Sequence, residues 1–131
     1  MLDNTITLPV DVLNNGSTVN QVYSRDEEYV NRSVYTGPGH SLVARQTLGF
    51  YRTPIKKSGT SLGTAKSAIK LTEDITVPNS LGANTVAPAI IDIAASFPVG
   101  ITTTKALELR QRAIAVLDHA VAAAVTEKLS I

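Results

Sequence analysis

The chain has 131 residues and a formal charge of +1, with 44% hydrophobic and 5% aromatic residues, two Phe, no Trp and no Cys. That length suits one domain, 1–131, and the shortage of rings leaves its core volume to Val, Ile, Leu and Ala. The missing cysteines exclude a disulfide framework, a thiolate metal site and a cysteine nucleophile, and the near-neutral balance excludes gathering nucleic acid by bulk charge. The start, "MLDNTITLPV", lacks a basic leader and no apolar run nears about 20 residues, so a soluble protein made in the cytoplasm is expected.

In chain order, "TITLPVDVLNNGSTVNQVYS" alternates apolar and polar residues on both sides of "NNGS". Asn-Gly tolerates positive φ, so this stretch predicts a hairpin over about 4–24. "EEYVNRSVYT" reads as one strand ending at the "GPGH" turn, and "SLVARQTLGFYRT" as the next. In the latter, Leu42, Ala44, Leu48 and Phe50 suit a core, while Arg45, Thr47 and Tyr51 face the other way. Turn chemistry in "PIKKSGTSLGT" then predicts hairpin pairing with "TAKSAIKL". As a strand, that segment puts Thr64, Lys66, Ala68 and Lys70 on one face and Ala65, Ser67, Ile69 and Leu71 on the other. "VPNSLGAN" is an exposed loop before the strand "TVAPAIIDIAASF", which places Ile91, Ile93, Ala95 and Phe97 opposite Ile90, Asp92, Ala94 and Ser96.

Past Gly100 the run "TTTKALELRQRAIAVLDHAVAAAVTEKL" has no Gly or Pro and is rich in helix formers. A Thr caps its start, Glu108 and Arg112 are spaced for an ion pair, and Leu107, Ile114, Leu117, Val121 and Val125 form an apolar stripe. Strands first and helix last predict an α+β fold with the helical segment over one sheet face. The opposite antiparallel face is then wet or binds something, and it is the lysine face.

Catalytic readings lack parts. The histidines are His40, an expected loop residue, and His119, an expected helix residue, neither beside a nucleophile signature. "GTSLGT" lacks the Gly-Lys-Ser/Thr ending of a phosphate loop and reads as a plain hairpin loop; "RDEEY" reads as a solvated strand start or turn. What remains is the constellation of Arg45, Thr47 and Tyr51 beside Lys66 and Lys70. Cations, hydroxyls and a ring can neutralise phosphates and stack a base of single-stranded RNA. An ordinary solvated face is the competing reading.

Taken together, "TITLPV", "ARQTLGFYR…TAKSAIKL", "IIDIAASF" and "TTTKALELRQ" in this order resemble the coat proteins of the small single-stranded RNA bacteriophages, the levivirus type, over nearly the whole chain. The resemblance implies an N-terminal hairpin, a five-stranded antiparallel sheet at about 28–97 and two helices at about 102–128, breaking near Asp118–His119. It further implies an intertwined dimer with a continuous ten-stranded sheet, helices packing across chains through Leu107, Ile114, Leu117 and Val121. Such dimers form an icosahedral shell, the virion capsid, made in a bacterial host, with the open sheet face against genomic RNA. RNA-facing positions then fall on Arg45, Thr47, Gly49 and Tyr51, on Lys66, Ala68 and Lys70, and on Asp92. Relatives often have hydroxyls where Gly49 and Ala68 stand and a stacking Tyr where Ile90 stands, positions that serve an RNA hairpin acting as packaging signal and operator. No enzyme activity, cofactor, metal, membrane or small-molecule substrate is expected. The alternative is a small dimeric RNA-binding regulator that forms no shell.

Overall fold

The computed structural model describes residues 2–128. They divide into two compact units, one of residues 2–55 and 65–96, the other of residues 56–64 and 97–128.

The first unit holds all but Thr64, Phe97 and Pro98 of a six-stranded antiparallel meander in the order β1-β2-β3-β4-β5-β6. Its strands are β1 (Thr5–Val10), β2 (Val19–Tyr29), β3 (Arg32–Thr36), β4 (Gln46–Thr53), β5 (Thr64–Pro78) and β6 (Asn84–Pro98). The predicted N-terminal hairpin is present, but its strands belong to the same sheet. β2 is long enough to serve both parts: its first half pairs with β1 from Val10↔Val19 to Thr5↔Ser24, its second half with β3 from Ser24↔Thr36 to Tyr29↔Arg32. Asn-Gly does not make a two-residue turn here. An eight-residue loop, 11–18, joins the strands, with Asp11 carboxylate oxygens accepting from the Asn15 and Gly16 amides at 3.0 and 2.8 Å. Gly16 supplies the positive φ that the motif promised, at 85°, while the second positive φ falls on Asn14, at 51°, and not on the Asn15 of Asn-Gly.

Two expectations are corrected. "EEYVNRSVYT" is not one strand; Val30 and Asn31 turn the chain between β2 and β3. And "SLVARQTLGFYRT" becomes a strand only at Gln46, so Leu42 and Ala44 are not core residues of it: Leu42 is fully exposed and Ala44 half-buried. The reason is local hydrogen bonding. Residues 37–46 close on themselves through Gly37 N to Gln46 O at 2.8 Å, Gly39 N to Gln46 Oε1 at 2.6 Å and Ser41 N to Ala44 O at 2.8 Å, which consume the groups a ladder would need.

The strand alternation does hold where it places the core. Tyr23, Tyr35 and Leu48 are buried, with Ile6, Leu8, Phe50 and Leu71 packed against them. Register explains the grouping, since Tyr35, Leu48 and Leu71 are direct cross-strand partners and share one face. Tyr35 donates its hydroxyl to Asp3 O at 2.6 Å and meets Phe50 edge-on at 5.8 Å, so its polar tip is satisfied at full burial. Burial of Tyr23, with Glu73 as a second cause, raises its pKa above 10.0. Both outermost strands carry a proline, Pro9 in β1 and Pro88 in β6, which the missing amide confines to edges.

In the second unit, α1 (Thr103–Leu117) and α2 (Ala120–Thr126) follow β6. The Thr102 hydroxyl accepts from Lys105 N at 3.2 Å, the cap the sequence promised. Glu108 pairs with Arg112 and, at 2.9 Å, with Lys105. The break falls at Asp118 and His119 as expected. His119, however, is not an interior helix residue: it caps α2, its Nδ1 accepting from Val121 N at 3.2 Å. Leu107, Ile114, Leu117 and Val121 are all exposed in the single chain. Among the described residues, no helix is long and apolar enough to cross a membrane.

Candidate nucleic-acid interface

The β4–β5 register builds the candidate face. Thr47↔Thr72, Gly49↔Lys70, Tyr51↔Ala68 and Thr53↔Lys66 are opposite pairs, so these residues line one face while Leu48, Phe50, Ile69 and Leu71 line the other. Thr47, Tyr51, Lys66, Ala68 and Lys70 are therefore brought together as the alternation predicted. Asp92 joins them from β6, its Oδ2 lying 3.9 Å from Lys70 Nζ. Gly49 sits under Tyr51: a Cβ on Gly49 would fall 2.5 Å from the Tyr51 ring, so the absent side chain lets the ring lean along its own strand.

Arg45 is held apart from the rest. It precedes β4 and its Nε and Nη2 donate to the two Asp74 carboxylate oxygens at 3.0 and 3.1 Å, while its backbone amide donates to Oδ2 at 2.9 Å. The Arg45 guanidinium and amide hold the Asp74 carboxyl below the usual carboxylate range, and Asp74 in turn raises Arg45. Asp74 lies 29 residues away in sequence, so no local pattern could have announced the pairing.

Charge on this face is arranged in pairs. Arg32 Nη2 lies 3.4 Å from Glu27, Arg45 is on Asp74, Lys70 is near Asp92, and Lys66 has no ion-pair partner among the described residues. Exposed pairs of this kind contribute roughly 0–1 kcal/mol each, so the 3.9 Å Lys70–Asp92 pair is the easiest for a phosphate to open. Sequence reading missed one signal. From Tyr29 to Thr72 the chain has Arg32, Arg45, Arg52, Lys56, Lys57, Lys66 and Lys70 and no acid at all. The overall +1 hides this segregation.

No protein-family model matches the chain, and no curated protein matches it either. Solved structures do. The chain is similar to that of the virus-like particle of bacteriophage AVE019 with a TM-score of 0.77 at 16% identity, covering 97% of this chain and 95% of that one. The chain in the virus-like particle of bacteriophage ESE058 gives 0.75 at 14% identity, covering 100% and 99%. That of Beihai levi-like virus 21 gives 0.72 at 12% identity, covering 97% and 94%. At these identities the likeness speaks to architecture, and it spans six strands and both helices: the chain has the fold of the levivirus-type coat proteins.

Proposed function

We propose that this chain is a capsid structural protein of a small RNA phage, a member of the levivirus-type coat family acting as a single 1–131 domain. It self-associates as dimers through Leu107, Ile114, Leu117 and Val121, closes into an icosahedral shell, and turns the β4–β5 face toward single-stranded genomic RNA. The observation that carries this reading is the near end-to-end match to the chain of a virus-like particle, at a TM-score of 0.77. Exposed aliphatic side chains along both helices support self-association, because apolar stripes left in water are stabilised by a partner.

On the RNA side, Lys66 and Lys70 meet phosphates, Thr47 offers a hydroxyl, Tyr51 offers a ring, and Ala68 leaves space between the lysines. Arg45 contributes at the margin, its guanidinium engaged by Asp74. Asp92 faces base edges, where it accepts from amino groups. With Gly49 and Ala68 lacking hydroxyls, contact is mainly with the backbone and with stacked bases. Its role is structural in the virion after synthesis in the bacterial host.

Expression of the full chain followed by negative-stain electron microscopy and nuclease digestion tests the proposal. Closed shells holding nuclease-resistant RNA are expected. Discrete dimers that bind RNA without enclosing it would identify a small RNA-binding regulator instead.

A further inference from the structure

Beyond β4 and β5, the same face continues onto strands not yet given a role. Register places Tyr29, Arg32, Tyr51 and Ala68 in one row, each opposite the next across β2, β3, β4 and β5. The Arg32 guanidinium lies 4.6 Å from the centre of the Tyr29 ring. Tyr29 is 57% exposed, the Arg32 side chain 46% and Tyr51 37%.

How Tyr29 comes to this face is informative. Tyr23 and Tyr29 are six residues apart in β2, and an even separation in a regular strand would put both on the core side. Pairing slips by one residue between Arg25 and Glu27, a β-bulge at Asp26. Tyr23 is thereby buried, while Tyr29 is re-aimed to the open side.

We infer that Tyr29, Arg32 and Tyr51 form a base-stacking row for single-stranded RNA, an inference that rests on the RNA-facing reading above. Three strand spacings of about 4.8 Å make the row roughly 14 Å wide, room for two or three bases on a sheet surface. Lys66 and Lys70 lie one step to either side of Ala68 on β5, so bases rest on rings and guanidinium while lysines take the phosphates. Ala68 at the row's end rises only a methyl above the sheet and does not obstruct a base on Tyr51.

The test uses the full chain freed of nucleic acid, with a ten-nucleotide oligoadenylate RNA as probe and inorganic polyphosphate as a base-free control. Tyr29→Leu should weaken oligoadenylate binding roughly 5- to 150-fold, the range of one lost base stack. The slope of log affinity against log salt should not change, because no charge is removed. Tyr29→Phe should bind as the parent does, and Arg32→Lys should weaken oligoadenylate binding at an unchanged slope because it keeps the charge and loses the plane. Polyphosphate affinity should be unaffected throughout. Equal oligoadenylate affinity for Tyr29→Leu and the parent would overturn the row, as would equal losses toward polyphosphate. If the parent chain binds neither probe, the RNA-facing reading itself falls and the row with it, a result distinguishable from the other two.

Discussion

Replacing Lys66 and Lys70 together by Ala tests whether the face meets phosphates. Lys66 has no ion-pair partner among the described residues, and Lys70 shares a 3.9 Å, half-exposed pair with Asp92. In bulk water that separation corresponds to about 1 kcal/mol, less after screening, so Lys70 is free to exchange Asp92 for a phosphate. Each phosphate contact on a single strand contributes roughly 0.7 to the slope of log affinity against log salt. Two contacts sum to about 1.4, so a fourfold rise in salt should weaken the parent about sevenfold more than the double variant, and about 2.6-fold more than a variant that loses one contact. Filter binding of a short single-stranded RNA at two salt concentrations reads this directly. Stability should move by less than about 0.5 kcal/mol per lysine. Leu71→Ala gives the reverse pattern: Leu71 packs on the core but is only partly buried, so the cost sits near the low end, about 2 kcal/mol, with the salt slope intact. An unchanged slope in the double variant would show that the lysines are a solvated face.

Three further outcomes follow from the packing. Leu48→Ala should cost about 2–5 kcal/mol in urea unfolding and Leu42→Ala less than about 0.5, because one is buried and the other wholly exposed; similar costs would refute the assignment of strand start at Gln46. Leu117 is 53% exposed in the single chain, so Leu117→Asp should leave the chain folded by circular dichroism yet abolish dimers in sedimentation; dimers of parental affinity would remove α1 from the interface. Asp74 is held below the ordinary value of about 3.9, so between its folded and unfolded pKa the unfolded chain binds the extra proton. Its stabilisation is thus present above the ordinary carboxylate range and lost as pH falls through the depressed folded value; the melting temperature should fall more steeply with acid in the parent than in Asp74→Asn.

The alternation in "TAKSAIKL" correctly puts Lys66, Ala68 and Lys70 on the face opposite Ile69 and Leu71, and composition delimits the helical segment, whereas its break at Asp118–His119 follows from the family resemblance, since no Gly or Pro marks it. Period counting fails where the chain leaves regular geometry. Val30 and Asn31 make a turn without Gly or Pro, and Asn31 is a lone turn-favouring residue beside a β-branched Val that gives no turn signal. Leu42 keeps the two-residue rhythm of β4 but sits in a loop whose backbone is already satisfied. The bulge at Asp26 inverts the facing of every later residue in β2, which hides Tyr29 from any count begun at Tyr23. Of the candidate site, the β4 and β5 members were legible because they follow a strict alternation. The pairing of Arg45 with Asp74 depends on register between distant segments and was not.

A cryo-EM reconstruction of particles purified from cells expressing the full chain tests the central claim most directly. The account predicts closed icosahedral shells of dimers in which Lys66, Lys70 and Tyr51 line the interior against RNA density. Shells with that face outward, or a preparation containing only discrete dimers, would contradict it.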